Sequence, residues 1–221
     1  MRHPVSQSLH AYWDGLRAGR TAPERADIDP AAIRHILAHT FVLEVEAAWG
    51  RGRDVRFRLS GTRLNALFAR DLRGVPLDYL LAPEEAVTAD LLLDGVLDDR
   101  APMVAALQGG PPGAEPVGLE LLLLPLRHHG RTHTRILGSL AAATVPGWMG
   151  LRPAAPLAVL GFHSVPAGPA RPPVALPPWL APGRSDEARI AAPRPQPGPR
   201  IPPGRFRVVE GGRRDAPPGL V

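Results

Sequence analysis

His35 and His39 stand four residues apart, a spacing that brings two imidazoles to one metal when both lie on a helix. The pair has no third ligand at a helpful local distance, so an exposed or structural pair is the simpler reading. His128, His129 and His133 fall in "HHGRTH", a stretch that reads as a hairpin turn and carries no motif that would mark a haem ligand. Glu84 with Glu85, and Asp98 with Asp99, are adjacent carboxylates of the kind acid–base catalysis uses. They fall at the ends of a helical pattern, where acids are ordinary solvated residues. The sequence holds no nucleophile elbow, no phosphate loop and no zinc-hydrolase pair. It also holds no cysteine. That removes disulfides, Cys-ligated zinc, iron–sulfur clusters, thiol catalysis and thiol-linked flavin photochemistry together, and leaves a non-covalent flavin open. An enzyme is not expected, and no cofactor is named.

The elements that would position such residues follow from periodicity. Residues 7–18 place Leu9, Tyr12, Trp13 and Leu16 at helical spacing. Asp29-Pro30 reads as an N-cap with Pro at the first helical position, opening a second helix over 30–38. "TFVLEVEA" at 40–47 and "VRFRLSG" at 55–61 alternate with period two, with Val55, Phe57 and Leu59 inward, and predict an antiparallel hairpin. After the Gly61-Thr62 corner, Leu64, Leu67 and Phe68 form the inward face of a short helix, which Thr62 is placed to cap. Residues 83–99 read as a longer helix, with Pro83 and two acids at its N-terminal end. Three apolar segments follow at 102–108, 116–126 and 132–144, the last two joined by the turn "RHHGR". The order predicts an α+β domain with a five-stranded antiparallel sheet and helices on one face.

Those motifs resemble a known family. Tyr12-Trp13 in the first helix, Arg25 with Asp27-Ile28-Asp29-Pro30 before the next, Gly61-Thr62 closing a strand, and Asp71-Leu72-Arg73-Gly74 at the following turn together look like the single-domain PAS-like family widespread in alphaproteobacteria. The resemblance covers residues 10–145. It implies a PAS-like fold and a sensor or interaction role in signal transduction, and brings no reaction with it. Ala69 stands where the family often places Gly, so the end of the short helix is expected to differ locally. In such a fold the face of Phe57, Leu64, Leu67 and Phe68 is either solid core or the wall of a ligand pocket. The face of Leu9, Tyr12, Trp13 and Leu16 is the candidate contact surface for a protein partner or a second copy.

Composition divides the chain. Residues 1–150 hold 16 Arg and 17 acids, whereas 151–221 hold 10 Arg and 4 acids. All 26 basic residues are Arg, and 17 of the 28 prolines lie after residue 150. The expected organisation is a helical extension over 1–38, a PAS-like domain over 39–148, and a Pro/Arg-rich, largely disordered tail over 149–221. Two apolar islands in that tail, 156–162 and 205–212, are candidates to dock back as strands. The start of the sequence has no apolar signal-peptide core, and the longest apolar run, 117–126, is too short to span a bilayer. A soluble, cytoplasmic regulatory module without an output domain of its own is therefore expected. The alternative is a nucleic-acid-associated regulator acting through the basic tail. Nucleic acid is the less favoured partner, because Trp179 and Phe206 are isolated and a single-strand binder interleaves its aromatics.

Overall fold

The computed structural model describes residues 1–47 and 53–166. Its centre is an antiparallel sheet of six strands: β1 (Thr40–Ala47), β2 (Arg53–Ser60), β3 (Met103–Gly109), β4 (Val117–His128), β5 (Arg131–Ala142) and β6 (Ala158–Ser164). They lie in the order β2-β1-β5-β4-β3-β6. Helix α1 (Pro4–Arg17) precedes the sheet, while α2 (Thr62–Leu67) and α3 (Ala86–Leu97) fall between β2 and β3. The first five strands are the two that alternation predicts and the three apolar segments that follow them. His129 and Gly130 both have positive φ and close β4 onto β5 as a two-residue turn.

Both faces of the sheet are covered. Leu119, Leu121 and Leu123 of β4 face α2 and α3, together with Phe41, Leu43, Phe57, Ile136 and Leu140. Leu122, Leu124 and Leu126 face the other way, into a second cluster with Leu9 and Trp13 of α1. A strand dry on both faces reads as an unbroken apolar run, which is what residues 121–126 are. The helices α2 and α3 lie on one face, as expected, and the N-terminal helical extension takes the other: α1 is the lid of the sheet's outer face. Leu9 and Trp13 are fully buried there, while Tyr12 and Leu16 pack half-buried at the edge of the same cluster. The four residues read as a partner surface are bound to the chain's own sheet.

The family motifs account for that attachment. Trp13 Nε1 donates to the carbonyl of Pro125, 2.8 Å away in β4. Tyr12 accepts from the Asp29 amide at 2.7 Å, and Asp27 takes both the Arg20 guanidinium, at 2.7 Å, and the Glu24 amide. At the other end of α1, the Glu120 carboxylate accepts from the amides of Arg2 and His3.

Five local expectations are corrected. Residues 30–38 form no α-helix. Their backbone bonds close i→i+3 turns, Ala32 to Asp29 and Ile36 to Ile33, ending in a 3₁₀ turn at Leu37–His39, and this path lays Ile28, Ile33 and Ile36 on the outer face. The N-cap of α2 is Gly61, with Thr62 the first helical residue and no side-chain cap. Ala69 takes the left-handed position at φ 49° that Gly would fill more easily. The paired bonds Arg70 to Asn65 and Ala69 to Ala66 form a Schellman motif that enforces it. Leu59 does not point inward. Between Leu43↔Phe57 and Val42↔Leu59 the register slips by one, so the bulge at Arg58 turns Leu59 to the outer face beside Val42. Finally, of the two apolar islands named as candidates to dock back, 156–162 does so: residues 158–164 form β6 on the edge of β3, and the five predicted strands become six. The expectations for the tail beyond residue 166 lie outside the described residues.

Gly61 is required by close approach. A Cβ on it would stand 2.3 Å from the carbonyl oxygen of Ala38, a backbone atom with no room to yield. Three stability changes follow, each measured by urea unfolding. Trp13→Ala should cost about 3–5 kcal/mol, the loss of a buried aromatic and its cavity, with no dissociation step in sedimentation. Gly61→Ala should cost about 1–3 kcal/mol through overpacking. Ala69→Gly should raise stability by about 1 kcal/mol by removing left-handed strain.

Candidate functional site

The four residues read as core or pocket wall converge on the concave face of the sheet. Phe57, Leu64, Leu67 and Phe68 are all buried in one cluster, where the Phe57 ring meets Phe41 edge-on at 5.2 Å between centroids. The local sequence sets this arrangement. Leu64, Leu67 and Phe68 keep the i, i+3, i+4 spacing of one helix face, and Asn65 ties the corner, its side-chain oxygen accepting from Ser60 and from the Leu72 amide.

Phe68 is where core gives way to surface. Its ring lies 6.2 Å from that of Tyr79, which is exposed and carries the Arg70 guanidinium over its face at 4.9 Å. In front of the two rings an apolar groove of about 620 Å³ opens, bounded by Pro76, Leu81, Ala86 and Ala89. Its far wall is Ala154 and Pro156, just before β6. Of the four predicted residues only Phe68 lines this groove. Phe57 instead borders a polar cleft of about 510 Å³ beside Glu44, Arg56 and Arg58. Tyr79 and the walls from Pro76 to Ala89 were not singled out from the sequence. The available signal was "VPLDYLLAP", a lone tyrosine between two prolines.

The groove's walls are held by tethers that also explain the adjacent carboxylates. The Glu85 carboxylate accepts from the Val159 amide of β6 at 3.0 Å. The Asp94 and Asp98 carboxylates both bind Arg53 of β2, fixing α3 to the sheet. These acids serve as anchors.

The histidines do not gather. His35 is exposed within the turns and His39 half-buried at their end, so the spacing of four no longer defines one helical face. The His128 and His129 rings meet at 4.1 Å, tilted by 50°, at their turn, and the side chain of His133 lies outside the described residues. Among the described residues no three metal-ligating side chains come together. Nor is any helix there long and apolar enough to cross a membrane.

The architecture defines a class: an antiparallel sheet ordered 2-1-5-4-3 with its helices inserted between the second and third strands, the PAS arrangement. The family model described as "PAS domain" matches residues 1–141, and the chain belongs to the PAS domain family. Among solved structures, it is similar to a light-oxygen-voltage domain studied with a flavin analogue, at 13% identity over 52% of this chain and 83% of that one, TM-score 0.41. A Rhodobacter sphaeroides LOV protein gives 15% identity over 54% and 71%, TM-score 0.39. The PAS domain of a Colwellia psychrerythraea protein gives 10% over 52% and 98%, TM-score 0.38. No curated protein matches the chain.

Two half-buried imidazoles give the fold a pH dependence. Burial pushes His10 below the ordinary histidine value of 6.5, aided by Arg17 and opposed by Asp14. Burial, with Arg63, lowers His39 in the same way. The folded state therefore binds fewer protons than the unfolded state once pH falls below about 6.5, so stability declines there and is flat above it. Asp27, held below the usual carboxylate range by Arg20, adds its loss only at lower pH. Urea midpoints should drop between pH 7.5 and 5.5, and His10→Gln should flatten that slope.

Proposed function

We propose that the protein is a regulatory sensor whose signal enters through the groove between Phe68, Tyr79 and the start of α3, and leaves by contact with a protein partner. The observation that carries this reading is the groove itself. It is apolar and preformed, within the size range of small-molecule sites, and its walls come from three separate segments of chain. A ligand or peptide seated there bridges the end of α2, the Leu77–Leu80 turn and α3. Binding across those segments favours the arrangement in which they lie closest, a population shift of the helical cap against the sheet. The partner contact is not assigned to Leu9 and Trp13, which the sheet already covers. A cytoplasmic setting belongs to this reading.

Native mass spectrometry of protein purified from its own host, beside an absorbance spectrum, tests the proposal. Ala86 is exposed at the groove's rim, so Ala86→Trp fills the groove without entering the core. The expected outcome is a stoichiometric small molecule or peptide on the wild type and a bare mass for the variant. Equal occupancy of both would remove the groove from the reading.

A further inference from the structure

The outer face of the sheet holds a second cavity, opposite the groove and independent of it. It has a volume of about 260 Å³ and lies between the turns of residues 28–37 and strands β1 and β2. Ile28, Ile33, Val42 and Leu137 supply apolar wall from the outer-face core. Leu37 and Leu59 line it as well, yet remain 41% and 45% exposed, unusual for leucines placed against a packed sheet. Both owe their position to irregular backbone. Leu37 opens the 3₁₀ turn that replaces the expected helix. Leu59 is turned outward by the bulge at Arg58; regular pairing would have buried it on the concave side. A bulge that re-aims one large apolar side chain into a cavity is a common device at binding sites.

One lining residue is charged. Arg25 faces this cavity as part of its wall, and among the described residues its guanidinium has no ion pair or hydrogen bond. Its neighbours are all engaged: Glu24 with Arg127, Asp27 with Arg20, and Asp29 with the Ala31 amide. A free guanidinium beside an otherwise apolar chamber matches a ligand with a carboxylate head and an apolar body, since Arg presents a fork that fits a carboxylate in two parallel bonds.

We propose that this cavity binds a small apolar monocarboxylate, a medium-chain fatty acid or a compound of like shape, with Arg25 taking the carboxylate and Leu37 and Leu59 closing over the chain. The site reaches the helical cap directly. Its wall includes Ser60 and Gly61, the N-cap of α2, and Leu37 and Ala38 press their carbonyls against Gly61. Movement of Leu37 over a ligand therefore bears on the start of α2.

Calorimetric titration of the full chain with decanoate, decanol and acetate tests this, using wild type, Arg25→Gln, Leu59→Trp and Ala86→Trp. Both Arg25 and Leu59 lie outside the packed core, and thermal unfolding verifies each variant. Decanoate should bind saturably at one site, and acetate should not bind. Arg25→Gln should weaken decanoate at least tenfold while leaving decanol unchanged, and Leu59→Trp should abolish both. Absence of saturable decanoate binding would overturn the proposal, as would equal affinity in Arg25→Gln. Binding that survives Leu59→Trp but is lost in Ala86→Trp would also overturn it, by placing the ligand in the helical-face groove.

Discussion

The hydrogen bond from Trp13 to Pro125 decides how this molecule is layered. A proline in a central strand has no amide to donate to its neighbour, which ordinarily excludes it from sheet interiors. Here Pro125 pairs across to Ile136, and its carbonyl becomes the acceptor for an indole that would otherwise be buried unsatisfied. The bond fixes where α1 crosses β4. Leu9 one turn earlier and Trp13 itself then cover Leu122, Leu124 and Leu126. Without that lid, a central strand of consecutive leucines would face water on one side.

The cover is incomplete. Toward β1 and β2 the outer face changes from apolar to charged, and the Glu44 carboxylate binds both Arg58 and Arg135. The pair with Arg58 is solvent-exposed on the arginine side and contributes little stability. The two pairs mark the border where the lid stops. The cavity beneath residues 28–37 lies on the apolar side of that border, with Val42 and Leu59 in its wall. It exists because the chain must travel from the Tyr12–Asp29 clasp to the first residue of β1 by turns rather than by a helix that would fill the space.

The fold was largely legible because β1 and β2 alternate cleanly, the later strands are apolar segments, and the turns carry Gly or Pro at the needed places. Phe41, Leu43 and Val45 against Glu44 and Glu46 leave no doubt about face, and His129-Gly130 closes its hairpin as read. What escaped was non-local. The unbroken run at 121–126 was a signal for burial on both faces, but which element supplied the second cover is a tertiary fact. So is the fate of Trp13, since an amphipathic helix reads the same whether it packs on its own sheet or on another chain. Leu59 escaped for a different reason: one extra residue in β2 inverts every side chain beyond it, and nothing at Arg58 announces the slip. Of the candidate site, Phe68 was found through its helical spacing. Tyr79 was not, because residues 77–80 form a 3₁₀ turn without a periodic signature.

The two cavities are related through one residue. Gly61 ends the route from β2, caps α2, and accepts the approach of Leu37 and Ala38 from the opposite side of the sheet edge. Its amide donates to Thr40 at 2.8 Å, and its carbonyl accepts from Asn65 at 3.1 Å, so the first residue of β1 and the first turn of α2 are bonded to the same residue. From Asn65 the contacts continue to Leu72 and Arg70, and from Arg70 to the Tyr79 ring in the groove. A packed interior transmits displacement because it has no slack to absorb it. The Gly-Thr corner thus does more than turn the chain across the sheet: it touches both the turns of the outer face, where α1 is locked, and the helical face, where the groove lies open. Residues 59–65 thereby give a change on one face a direct path to the other, since the turn at Leu37 and Ala38 and the first turn of α2 both bear on Gly61.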